Sequence, residues 1–294
     1  MEEHIFSVII PHHNIPRLLQ RCLDSIPDVP KVQVIVVDDN SSPDKVDFNK
    51  FPGLERQYTQ CVFDKAGGGA GHARNIGMSK ADGKWLVFAD ADDFFVDGAF
   101  DILESHKDDQ KDIVLFKADS VDSDDYSPSD RHFQHNRAVD NALSGIITEK
   151  KAVLTVPAPW CKMFRREHIA GKGVLFDETF ASNDQMFVLK ATYWTDDNKV
   201  TVTNEVLYTV TTRKGSLEAM KKKSPRNFLD TLEVLIRCNK FAKDGPYNRR
   251  PIIVQVFRAL RISPGTFWKA LKLAIQERAL FSGTSVIFQK LFKR

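Results

Sequence analysis

Residues 81–95 read ADGKWLVFADADDFF, and the reading of this stretch decides the fold. Trp85, Leu86, Val87, Phe88 and Ala89 form an unbroken apolar run, too short for an independent helix and preceded by the chain-breaking Gly83. Such a run reads as a strand covered on both faces, the pattern of parallel sheets in α/β proteins. It stops abruptly at Asp90, Ala91, Asp92 and Asp93. Open α/β sheets bind ligands outside the carboxyl ends of their strands, so these acids fall where chemistry is usually done. Closely spaced carboxylates repel one another unless a cation lies among them, and hard oxygen ligands favour Mg²⁺ or Mn²⁺. Taken alone, D-x-D-D is as readily a solvated turn or the first turn of a helix. The rest of the chain weighs against that reading.

Towards the N-terminus the same pattern repeats. Residues 6–10 (FSVII) predict a first strand closed by Pro11, residues 17–26 a helix, and residues 32–37 (VQVIVV) a second buried strand ending in Asp38 and Asp39. Strand, helix, strand, with polar residues at each carboxyl edge, opens a parallel doubly wound sheet. A weaker third strand over 58–63 leads into Gly67-Gly68-Gly69-Ala70-Gly71 and a helix over 72–80. Gly69 and Gly71 match the first two glycines of G-x-G-x-x-G, but Arg74 stands at the third. That position normally permits close helix–strand packing, so dinucleotide binding is set aside. A glycine loop feeding a helix N-terminus still suits phosphate or ribose contact.

Towards the C-terminus, residues 98–106 predict a helix, 113–117 (IVLFK) a strand and 119–130 an exposed acidic loop. Ser182 and Gln185 predict a capping box that places Asn183 and Asp184 in the first turn of a helix. Residues 200–210 predict two short strands around Asn204.

With 42% hydrophobic and 10% aromatic residues, the 294-residue chain can build a full core, which excludes global disorder. Cys22, Cys61, Cys161 and Cys238 are scattered without a C-x-x-C pair, which fits a reducing cytoplasm and no zinc ribbon or disulfide framework. The N-terminus reads as a strand rather than a signal peptide, and no apolar window is long enough for a membrane span. The net charge of +3 hides an asymmetry. Residues 1–212 carry 23 basic against 34 acidic side chains, a net of −11, and residues 213–294 carry 19 against 5, a net of +14. A basic tail on an acidic body points to an anionic partner.

The order of the motifs is more specific than any one of them. SVIIPHHN, VIVVDDNSS, GGAGHARNIG, WLVFADADD, PWCKMF and FDETFASNDQMF, in that order over roughly residues 5–216, resemble the family 2 glycosyltransferases. The resemblance implies a GT-A fold: an α/β doubly wound, mainly parallel sheet flanked by helices. Residues 1–216 would be the catalytic domain, with a nucleotide-binding half (1–117) and an acceptor half (118–216), followed by a basic helical extension over 217–294. It implies an inverting transferase using a nucleotide-sugar donor, a divalent cation (Mg²⁺ or Mn²⁺) and a saccharide or lipid-linked saccharide acceptor, acting in bacterial surface polysaccharide or glycolipid assembly. On the donor side it implies Pro11, Asp39, Arg74, Asp90, Asp92 and Arg213. Asp39 can accept a hydrogen bond from the imide N–H of uracil, which favours UDP. Asp90-Ala91-Asp92 matches the family's DXD motif, with Asp92 on the metal and Asp90 on ribose or metal. Trp160 and Lys162 match a segment bordering the acceptor, and Asp184 falls at the catalytic base, where Asn183 replaces the usual preceding Glu.

Other classes fare less well. A phosphotransferase of the haloacid dehalogenase type wants its D-x-D on the first strand with Thr or Val two residues on, where Phe94 stands. A catalytically inactive GT-A-like binding module is opposed by the presence of Asp39, Asp92 and Asp184. Nucleic-acid binding by the basic tail lacks an RNP, zinc-finger or OB-type pattern and is not expected. In the tail, Phe228, Leu232, Leu235 and Ile236 recur at helical spacing. Ser263 and Pro264 open a second helix, and residues 286–294 are apolar with a basic end. The first helix is expected to pack on the catalytic domain. The last two segments equally fit packing or peripheral contact with an anionic membrane face.

Overall fold

In chain order the strands are β1 (Phe6–His12), β2 (Val32–Asp39), β3 (Thr59–Asp64), β4 (Trp85–Phe88), β5 (Phe94–Phe95), β6 (Ile113–Asp122), β7 (Lys162–Arg165) and β8 (Val200–Thr212). The computed structural model describes residues 4–213, 224–243 and 250–284. One sheet takes the order β3-β2-β1-β4-β7-β6-β8-β5. β3, β2, β1 and β4 run parallel, β7 runs against β4 and β6, β8 runs parallel to β6, and β5 runs against β8. The sheet is thus mainly parallel, an α/β arrangement of the GT-A type.

Alternate residues of each strand enter different cores, as the period of two requires. Val8, Ile10, Val34, Val36 and Val87 face one layer, with Leu19, Cys22 and Leu23 of helix α1 (Pro16–Asp24). Ile9, Ile35, Val37, Leu86 and Phe88 face the other, with Ala73 of helix α2 (Gly69–Lys80). α2 sits close because Gly77 has no side chain: a Cβ there would lie 2.5 Å from Ile9 Cγ2. Helices α3 (Ala99–Ser105), α4 (Phe133–Leu143), α5 (Glu149–Thr155), α6 (Arg166–Gly171) and α7 (Gln185–Tyr193) complete the body. Phe176 stacks on Phe187 of α7 at 3.9 Å, and both meet Phe88 of β4 edge-on. This cluster pins the segment leading to Asp184 against the strand leading to Asp90.

Three local expectations change. β6 runs on to Asp122, because β8 pairs with it as one strand rather than two. Register shifts beside Lys117 loop out the residues around Asn204, so the apolar alternation breaks without ending the ladder. Ser182 forms no capping box: it is left-handed, with φ 59°, and its hydroxyl meets Thr231 Oγ1 at 3.0 Å. α7 therefore begins at Gln185 with Asp184 at the N-cap position.

The tail supplies α8 (Pro225–Phe241), α9 (Ile252–Arg258) and α10 (Pro264–Gln276). Ser224 and Ser263 cap α8 and α10, each ahead of a proline at N1, as the sequence suggests for the second. α9 has no sequence signal beyond an apolar run. The three share a core of Leu232, Leu235, Ile236, Ile252, Val256, Ala270 and Ala274. α8 also packs Val234, Cys238 and Ala242 onto Leu154, Met186 and Leu189 of the body, as expected for the first tail helix. The expected last segment, 286–294, lies outside the described residues.

Candidate active site

The carboxyl ends of β1, β2 and β4 bring Pro11, Asp39 and Asp90 to one edge of the sheet. The Asp90 backbone N–H donates to the Tyr208 hydroxyl at 2.8 Å, and its carboxylate accepts from Arg74 Nη2 at 2.5 Å. Buried Arg74 extends from α2 over the Phe176 ring at 5.3 Å, and its other terminal nitrogen donates to Asn183 Oδ1 at 3.0 Å. The Asp92 carboxylate receives Arg213 Nε at 3.2 Å. The Asp92 carbonyl accepts from Arg21 Nη2 at 2.6 Å and from Thr211 Oγ1 at 2.7 Å. Asp93 is buried: one oxygen accepts the Thr211 N–H at 2.7 Å, and the other has no hydrogen-bond partner. Arg131 donates to the Thr211 carbonyl and adds positive charge near Asp92.

Asp90, Asp92 and Asp93 each offer a carboxylate oxygen, all within 4.8 Å of one another. Burial, then the charges of Asp92 and Asp90, pushes the Asp93 carboxyl well above the ordinary range, and burial with Asp90 raises Asp92. An all-oxygen set with crowded charge and an unpartnered buried oxygen fits a hard divalent cation.

Asp39 lies at the carboxyl end of β2, against the start of α2. Both of its oxygens accept the Gly69 N–H, at 3.1 and 2.9 Å, so it caps α2 while burial raises its carboxyl. Neighbouring Asp38 is a structural acid, bonded to His12 Nδ1 at 2.7 Å and to the Ser41 hydroxyl at 2.5 Å.

Trp160 is largely buried, stacked between His135 at 4.8 Å and Tyr208 at 6.1 Å. Lys162 is fully buried. Its Nζ donates to the carbonyls of Val156 at 2.9 Å and Ala158 at 2.5 Å. Burial lowers its pKa to about 7, against the opposing pull of Cys161 and Asp184. Lys162 thus holds the 156–160 loop from beneath rather than lining open surface. Asp184 is partly exposed, next to the Asn183 that meets Arg74.

The sequence already reads Asp93 as one of three closely spaced carboxylates, but the metal role drawn from the family resemblance names only Asp90 and Asp92; the structure adds Asp93 to the cluster. Arg21 and Tyr208 had no signal, since only the packing of α1 and β8 against the acidic turn brings them there.

The fold and site define a class, and comparison with known proteins names it. The model of glycosyl transferase family 2 matches residues 7–170, more than half of the chain, so the chain belongs to that family. Among curated proteins, it is 24% identical over 241 residues to the poly(ribitol-phosphate) beta-N-acetylglucosaminyltransferase TarS of Staphylococcus aureus. The match covers 78% of this chain and 39% of TarS, so the chain spans well under half of that relative's length. The crystal structure of S. aureus TarS 1–349 in complex with UDP-GlcNAc superposes with a TM-score of 0.68 at 20% identity, covering 93% of this chain and 81% of that one. A mannosyltransferase of Pyrobaculum calidifontis, solved with GDP-Man and Mn²⁺, reaches 0.57 at 16% identity, covering 98% of this chain and 81% of that one. These likenesses to solved structures are likenesses of fold.

Proposed function

We propose that the chain is an inverting glycosyltransferase that moves a hexosyl or N-acetylhexosaminyl group from a UDP-sugar to an acceptor hydroxyl. The observation that carries this reading is the link between two groups of acids. Arg74 joins Asp90 to Asn183, and so sets the Asp90-Asp92-Asp93 cluster beside the residue preceding Asp184. Displacing a nucleoside diphosphate needs charge neutralisation on the leaving side and a proton acceptor on the attacking side. Asp90 and Asp92, with Asp93 behind them, would hold Mg²⁺ or Mn²⁺, which supplies Lewis-acid stabilisation to a leaving diphosphate. Arg213, beside Asp92, adds a cation of the protein's own there. Asp184 accepts the proton of the attacking hydroxyl. A single base opposite the leaving group gives direct displacement with inversion.

UDP is favoured by Asp39 at the Pro11 edge, an acceptor suited to the uracil imide, and by the UDP-GlcNAc complex of the TarS structure. For the acceptor, the poly(ribitol-phosphate) in the name of TarS favours a hydroxyl of a polyol phosphate or other surface polysaccharide, and the family resemblance adds a lipid-linked saccharide reached from the cytoplasm. A donor screen with Mn²⁺ over UDP-, GDP-, CDP- and dTDP-sugars tests the reading by nucleotide release. UDP-sugars should turn over fastest, and turnover of none of them would refute it.

Peripheral membrane contact has a separate observation in its favour. Among the described residues no helix is long and apolar enough to cross a membrane. Yet Phe257, Leu260 and Trp268 are 58%, 50% and 65% exposed, beside Arg258, Arg261 and Lys269. Exposed aromatic and aliphatic side chains interleaved with basic ones suit an anionic bilayer surface. The full chain should float with phosphatidylglycerol vesicles at low salt and be released by high salt. Absence of flotation at low salt would make this face ordinary surface.

A further inference from the structure

We propose that α8, which lies beyond the segment matched by the family, is a working part of the active site: Arg237 positions the loop that carries Asp184. The inference rests on the reading of Asp184 as the base. Arg237 makes a two-pronged ion pair with Asp177, Nη1 to Oδ1 at 2.9 Å and Nη2 to Oδ2 at 3.0 Å. A fork of this kind fixes orientation as well as distance. The Asp177 N–H donates to the Asn183 carbonyl at 3.1 Å, which closes residues 177–183 into one loop. The Asp177 carbonyl lies against α2 where Gly71 has no side chain; a Cβ there would stand 2.0 Å from that oxygen. Left-handed Ser182 is tied to Thr231 of the same tail helix, and Arg226 lies over the Phe180 ring at 5.0 Å.

The loop is held from the other side as well. Asn183 Oδ1 accepts from Arg74, whose second nitrogen holds Asp90. A continuous path therefore runs from Arg237 through Asp177, the loop, Asn183 and Arg74 to the acid cluster. Asn183 is a positioning residue on this path. As a neutral acceptor it orients the guanidinium without drawing its charge from Asp90, as a carboxylate there would. This accounts for Asn at the position where the family resemblance implies Glu.

A helix that merely covered the apolar sides of α5 and α7 would affect how much protein folds, not how fast each folded site turns over. The test uses the full chain with Mn²⁺ and whichever of UDP-GlcNAc, UDP-glucose or UDP-galactose the wild type turns over fastest. Rates are normalised to UDP-binding sites counted by calorimetry. Arg237→Met should lower kcat per site about tenfold or more with the UDP Kd unchanged, since small misplacements of a reacting group are costly. Arg237→Lys should recover only part of the loss, because an ammonium cannot reproduce the fork. If Arg237→Met does not fold, Thr231→Val carries the same test with a smaller expected loss of kcat at unchanged Kd. A kcat per site equal to wild type in the folded variant, alongside an inactive Asp184→Asn, overturns the proposal. An active Asp184→Asn instead overturns the base on which it rests.

Discussion

Asp184→Asn should leave UDP binding intact and lower sugar transfer by about 10²–10⁴-fold, the usual contribution of a positioned general base. The amide keeps the shape of the side chain at the N-cap of α7 but cannot take a proton. Asp177, Ser182 and Asn183 each anchor the loop through contacts of their own. The loss should therefore appear in kcat, with the donor KM little changed. Single-turnover transfer with calorimetric UDP binding measures both. An unchanged kcat would move the base elsewhere, and His12 and His13, at the carboxyl end of β1, are poor substitutes. His12 is buried, with both ring nitrogens engaged by Asp38 and the Ile15 N–H. His13 is committed to the Asp39 carbonyl.

Asp92→Asn should reduce Mn²⁺-supported turnover by about 100-fold or more, on the scale of the several kcal/mol that a metal supplies to a leaving oxyanion. Its effect on stability should run the other way. Burial and the neighbouring Asp90 raise the Asp92 carboxyl in the folded state, so its charged form is disfavoured there. At pH 7, above the ordinary carboxylate range, removing that charge relieves repulsion within the cluster, and the melting temperature should hold or rise. Scanning calorimetry beside the rate assay separates the two effects. A variant that turns over normally in EDTA would take the metal away from this residue.

Much of the fold was legible because its strands are covered on both faces. FSVII, VQVIVV and WLVF are mostly apolar runs followed within two residues by polar ones, and each is a parallel strand whose carboxyl end reaches the site. The less legible parts were settled by tertiary partners. β8 reads as two strands because a bulge exposes Asn204, Glu205 and Val206, while the ladder with β6 continues past them. The Ser182–Gln185 capping box loses to a distant competitor, Thr231, which takes the hydroxyl that the local motif would have used. Lys162 reads as a polar residue near an acceptor, yet its amine is buried on two backbone carbonyls, a role that no spacing announces. The acidic cluster was visible as a string of letters. Of its arginine partners, Arg74 and Arg213 were named through the family resemblance, whereas Arg21 of α1 was not.

The most direct test of the central claim is a calorimetric titration of UDP into the full chain, once with Mn²⁺ and once with EDTA. The account predicts a saturable UDP site whose affinity falls about tenfold or more when the cation is removed, because diphosphate and the Asp90–Asp92–Asp93 cluster repel each other without it. Equal affinity in both buffers, or no UDP binding in either, would contradict it.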